Sequence, residues 1–253
     1  MNRERKEVME EYLSGTQFEL ELAKACQKLI PKYMKEYLNN PELEYEDYGT
    51  EAEKKLKLIL RFYVNISVVL RDIDLTLKFL GKDRTAILED YRFLCSQETY
   101  FKYHCENYFI RIITILDIIG KLGTLIYGFD LDLDKVSAYI FKDKVRKDGY
   151  DNIARIIDKL INKLAKIKAE RHKKLHTGEA DIKPFNGIPI WEDLNAIISS
   201  DTDDILKQYT DQKIKEEIDI LTRSTIELIE IVKEFLEESN SKLNEIITTA
   251  NSA

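Results

Sequence analysis

DNIARIIDKLINKLAKIKAERHKKLH, residues 151–176, places isoleucine or leucine at 153, 156, 157, 160, 161, 164 and 167. That alternation of three and four gathers Ile153, Ile156, Ile157, Leu160, Ile161, Leu164 and Ile167 into one stripe on an α-helix, and such a stripe needs a packing partner. Counted at about 100° per residue from Leu164, Arg171 falls about 20° to one side of the stripe's centre and Leu175 about 20° to the other. A guanidinium at a core position keeps its charge, so it requires an acidic partner, a bound anion or an opening to water. His172 and His176 are two of the chain's three histidines. They flank the stripe at about 80° and 120° and share a polar rim beside the arginine.

The helical period extends over most of the chain. With 253 residues, nine glycines and four prolines, it predicts an all-α protein, an up-and-down helical bundle of about five long helices. A first helix is expected over about 3–39, with Pro31 breaking or kinking it and Asn39-Asn40-Pro41 ending it. A second, over about 51–80, carries Leu56, Leu60, Tyr63, Val64, Leu70, Ile73 and Leu77 and stops at Gly81. A third is expected over about 84–126, with Gly120 and Gly123 weakening or bending its end. A connection from Gly128 to Lys144 leads to the fourth, over about 151–175. The loop Thr177-Gly178 through Pro184, Gly187 and Pro189 then precedes a last helix over about 203–247. No internal repeat or low-complexity linker interrupts this order. The simplest organisation is one domain, 1–253, with 1–45 as a helical extension and 50–250 as the bundle core.

Composition excludes several classes. The most apolar run, Phe109 to Ile119, is interrupted by Arg111, Thr114 and Asp117, so no membrane span is expected. Met1-Asn2-Arg3-Glu4-Arg5-Lys6-Glu7 has no apolar signal core behind it, which points to a cytoplasmic protein. Cys26, Cys95 and Cys105 lack metal-like spacing and read as buried reduced thiols. Charge is unevenly placed: Lys142 to Lys174 holds 12 Lys/Arg against 5 Asp/Glu in a chain of net charge −7. A nucleic-acid backbone would be drawn to that segment, although an acidic chain is no general DNA coat. A solvated helix face of alternating lysines is the plainer reading of the same charges.

Arg171-His172-Lys173-Lys174-Leu175-His176 resembles the R-x4-6-H signature of the HEPN superfamily, in which a polar residue, here His172, usually follows the arginine. The layout is similar over roughly residues 50–250: a long helix containing Cys105-Glu106-Asn107-Tyr108-Phe109-Ile110-Arg111, the motif helix, a loop and a last long helix. The resemblance implies a helical bundle that dimerises with its two motifs facing across a cleft. It also implies a metal-independent endoribonuclease with no cofactor. In that role His176 is the general acid or base, Arg171 clamps the phosphate, and His172 orients or transfers a second proton. On an ideal helix Arg171 and His176 are about 140° apart, so they converge only if the helix unwinds near Leu175 or if two subunits share the cleft. Some relatives are toxins controlled by a separate nucleotidyltransferase that modifies a tyrosine two residues after the motif histidine. Gly178 occupies that position here, against such control, although a separate antitoxin or regulatory partner fits a toxin or phage-defence setting.

Further candidates surround the motif. Lys168, Lys173 and Lys174 are candidate RNA contacts; Asn107 and Arg111 on the third helix are candidates to contact RNA or a partner subunit or, more plainly, form an exposed polar face; and Glu98, about 40° from that helix's apolar centre, either orients Arg171 or reaches solvent at the helix end. Tyr100, Tyr103 and Tyr108 are candidates for base stacking or, more plainly, for packing. His104 reads as a structural histidine. A metalloenzyme bundle is disfavoured, because no inward Glu-x-x-His pattern is present. The alternative to a nuclease is a non-catalytic helical module that binds RNA, nucleotide or another protein.

Overall fold

In a computed structural model the described residues are 13–42, 44–81, 97–177 and 203–252, with side chains described for all of them except 46, 97–99, 166–177, 203–207, 209, 210 and 213. They form α1 (Gln17–Tyr37), a 3-10 turn (Tyr45–Asp47), α2 (Glu51–Gly81), α3 (Gln97–Tyr127), α4 (Ala138–Lys147), α5 (Asp151–Thr177) and α6 (Asp203–Ser252). The fold is all-α, with no strand among the described residues.

Local chemistry sets the helix starts. Thr16 caps α1 by accepting the Glu19 amide at 3.2 Å, while the Glu19 carboxylate accepts the Gly15 amide at 3.0 Å. Gly15 has φ +80°, a left-handed conformation that interrupts a helix. The single helix expected from residue 3 therefore does not form; the chain turns at 13–15 and α1 starts at Gln17. Pro31 does not end α1 either. The turn after it is anchored by the Lys32–Glu53 ion pair at 2.9 Å and by Tyr33, whose ring packs against Tyr45 and Tyr48. These contacts offset the lost backbone bond. Thr50 and Glu53 cap α2 reciprocally, at 2.9 and 3.3 Å. Buried Lys57 then ties the 3-10 turn to α2 by donating to the carbonyls of Tyr45 and Tyr48, its ammonium 4.8 and 5.3 Å from their ring centres.

The chain divides into two compact units. The first comprises 1–69, 114–163 and 228–253. Its core holds the predicted Ile153, Ile156, Ile157, Leu160 and Ile161 of α5, together with Phe18 and Leu22 of α1, so the N-terminal helix is integral to this unit. Gly120 and Gly123 are close-approach sites: a Cβ on Gly120 would stand 2.5 Å from the Ser137 carbonyl carbon, and one on Gly123 2.3 Å from the Phe141 ring. They admit α4, which occupies part of the stretch expected as a connection. Ala138, Phe141 and Val145 bury one face of that helix. Most of the predicted α2 positions are buried or half-buried, but Val64 is exposed.

The second unit comprises 70–113 and 164–227, and it contains the motif. Leu70, Ile73, Leu77, Phe101, Cys105, Tyr108, Ile112 and Leu164 are buried in it. Each fully buried aliphatic or aromatic side chain removes enough apolar surface from water to stabilise the unit by about 1.5–3 kcal/mol.

Candidate functional site

The backbone of α5 stays helical through Thr177, so Arg171, His172, Lys173, Lys174 and His176 lie on one unbroken helix. His176 stands five positions after Arg171, which sets them about 140° apart about the helix axis. The unwinding near Leu175 that would bring them together within one chain is not present. The side chains of Arg171, His172, His176, Ile167, Lys168, Lys173, Lys174 and Glu98 lie outside the described residues, as do Cys95 and the loop 178–202. Glu98 is the second residue of α3, and both it and Arg171 belong to the second unit.

The described part of that unit shows how α3 is held. The Tyr108 hydroxyl donates to the Leu221 carbonyl at 3.0 Å and lies 3.1 Å from Thr225 Oγ1, joining α3 to α6 through a buried polar contact. Burial pushes the Tyr108 pKa up, so the phenol stays protonated. Tyr100 is also buried and donates to the Phe79 carbonyl at 2.9 Å, joining α3 to α2. Both tyrosines therefore serve packing, whereas Tyr103 is 62% exposed. His104 sits among the rings of Phe79, Tyr100 and Tyr103, with centres 5.5, 4.4 and 5.3 Å away. Burial lowers its pKa, so it is a neutral ring in an aromatic set.

Arg111 forms an ion pair with Asp72 of α2. Asp72 is the residue that sequence spacing could not reveal, because 39 positions separate the partners. Asn107 is half-buried on the same helix, one turn before Arg111. Burial, reinforced by nearby Glu217, raises the Cys105 thiol to about 12, and burial raises Cys26 to about 11 against the opposing effect of Lys57. Both are buried free thiols, as expected, and poor nucleophiles.

The basic run is largely neutralised where its side chains are described. Lys142 and Arg146 both pair with Asp158, at 3.1 and 2.6 Å, Lys144 pairs with Asp148 at 3.0 Å, and Lys159 pairs with Glu234 at 2.8 Å. These cations brace α4, α5 and α6 within the first unit. Among the described residues, no helix is long and apolar enough to cross a membrane.

Comparison with known proteins gives one match: the model of the Cthe2314-like HEPN family fits residues 92–248, more than half of the chain. The matched span contains α3 to α5, most of α6 and the whole of Arg171–His176. No curated protein and no solved structure matches.

Proposed function

The chain belongs to the Cthe2314-like HEPN family, and from that premise we propose that it is a metal-independent endoribonuclease whose site is completed by two copies of the chain. The observation that carries the proposal is the unbroken helix through Thr177. With Arg171 and His176 about 140° apart on that helix, a convergent site draws its arginine from one copy and its histidine from the other.

The chemistry follows from the residue types. A histidine removes the 2′-hydroxyl proton, and the resulting oxyanion attacks the adjacent phosphorus. The bond to the 5′-oxygen breaks, and that oxygen leaves with a proton from a second acid. Histidine suits both transfers because its ordinary pKa lies near neutrality. Arg171 bonds two phosphoryl oxygens with its planar fork and stays charged throughout. In this assignment His176 transfers the proton, and His172 orients it or supplies the second proton. Glu98 fixes the guanidinium, while Lys168, Lys173 and Lys174 hold the flanking phosphates. Asn107 contributes from α3. Arg111, committed to Asp72, contributes only through its remaining N–H groups.

The test is incubation of the purified protein with total RNA and short oligonucleotides in EDTA, beside an Arg171→Ala/His176→Ala variant. Cleavage that leaves 2′,3′-cyclic phosphate and 5′-hydroxyl ends, and is lost in the variant, is the expected result. Equal cleavage by both proteins removes the assignment. Intact RNA that is nonetheless bound, in a manner dependent on Arg171, moves the function to RNA binding without cleavage.

A further inference from the structure

α1 is apolar on two faces, and only one of them is buried. Phe18, Leu22, Ala25, Cys26 and Leu29 form the inner face. On the other side, angles measured from Met34 at about 100° per residue place Leu20, Ile30 and Leu38 within about 40° and Tyr37 within about 60°. These side chains are exposed, Ile30 at 51%, Met34 at 48% and Leu38 at 78%. Leu20 to Leu38 spans about 27 Å of helix at 1.5 Å per residue. An apolar stripe of that length, interrupted only by exposed Gln27 about 20° from Met34 and left open to water, is the mark of a surface that another helix covers.

The charge beside the stripe selects the occupant. Lys24, Lys28 and Lys35 all lie about 80° to 120° from Met34 on the same side, forming one basic edge. Lys24 already pairs with Glu21 at 3.3 Å, so Lys28 and Lys35 are the outward charges of that edge. A groove of 290 Å³, lined by Glu21, Lys24, Ala25, Gln27, Lys28 and Ile247 of α6, widens the surface on the lysine side. A second copy packed antiparallel would set lysine edge against lysine edge. A parallel copy would offer the lysines only Glu19 across the seam, and that carboxylate already accepts the Gly15 amide. We propose that the outer face of α1 docks an amphipathic helix of a different protein, one with an apolar stripe facing Leu20, Ile30, Met34 and Leu38 and an acidic edge facing Lys28 and Lys35.

The test uses the full chain and two labelled synthetic helical peptides with the same leucine stripe, one carrying glutamates along an edge and the other lysines, with binding followed by fluorescence anisotropy. The glutamate peptide is expected to bind about tenfold or more tighter. Lys28→Glu/Lys35→Glu should reverse that preference, and Ile30→Glu/Met34→Glu should abolish binding of both peptides. All four side chains are exposed, so the thermal midpoint should hold and binding losses would not reflect unfolding. Three results overturn the proposal. One is equal or absent peptide binding. Another is binding to phosphatidylglycerol vesicles in place of the peptides, which assigns the face to a membrane surface. The third is self-association that disappears in Ile30→Glu/Met34→Glu, which assigns it to a second copy.

Discussion

The two ends of α5 differ in apolar register. From Asp151 to Leu164 the apolar stripe is buried, and Asp158 and Lys159 complete ion pairs with α4 and α6. From Lys166 to His176 lysines are denser, four in 11 residues against two in the 14 from Asp151 to Leu164, and the stripe position that another isoleucine would take is filled by Arg171. Charge alone does not mark a site, because a lysine beside an aspartate is a brace. The distinguishing feature is the break in apolar register, where a permanent cation stands in line with core residues and two histidines flank it.

That contrast can be tested by substitution at each end. Arg171→Ala should lower RNA cleavage by about 10²–10³-fold, the effect of removing one charge-stabilising group from a reacting phosphate, while circular dichroism and the thermal midpoint hold. Leu160→Ala, in the scaffold end, should cost about 2–5 kcal/mol because the cavity it leaves cannot fully collapse. At about 2–4 °C per kcal/mol the midpoint falls measurably, yet cleavage per folded molecule should stay the same. A fall in that specific rate would erase the distinction between the two ends.

Asp158→Asn releases Lys142 and Arg146 from their shared partner. The pairs are partly exposed, so stability should drop by no more than about 1 kcal/mol. RNA affinity at low salt should rise modestly, with a salt dependence steeper by about one or two counterions. The smallest effect belongs to His104. Burial holds its folded pKa below the ordinary value of about 6.5, so unfolding takes up a proton in acid. Its contribution is complete above that value and drains away as the pH falls below it. Denaturation midpoints at pH 7.5 and 5.5 should therefore differ less in His104→Gln than in the natural chain.

Much of this scaffold was legible in the sequence, because it rests on periodicity. Ile153, Ile156, Ile157, Leu160, Ile161 and Leu164 of α5 are buried as their spacing requires. α4 was hidden because its 10 residues include four lysines or arginines and follow an aspartate-rich stretch, although Phe141 and Val145 keep the helical step. The break before α1 was written locally as Gly15-Thr16 followed by Glu19, a capping signature that the longer apolar pattern concealed. Gly120 and Gly123 read as weak points from propensity alone; their purpose depends on α4, which packs against them. At the candidate site, the motif could be read from Arg171 to His176, but the Asp72–Arg111 pair and the Tyr108 link to α6 are tertiary contacts with no sequence spacing to announce them.

The most direct test of a site shared between two copies is to mix two inactive proteins. Arg171→Ala and His176→Ala chains, each purified and unable to cleave RNA, are unfolded together, refolded and assayed in EDTA. In a two-fold dimer with one arginine and one histidine from opposite copies, half of the randomly paired dimers are mixed and each regains one intact site. About a quarter of the natural activity should return. No recovery from mixed dimers whose formation is verified by distinct tags would contradict a composite site and the account built on it.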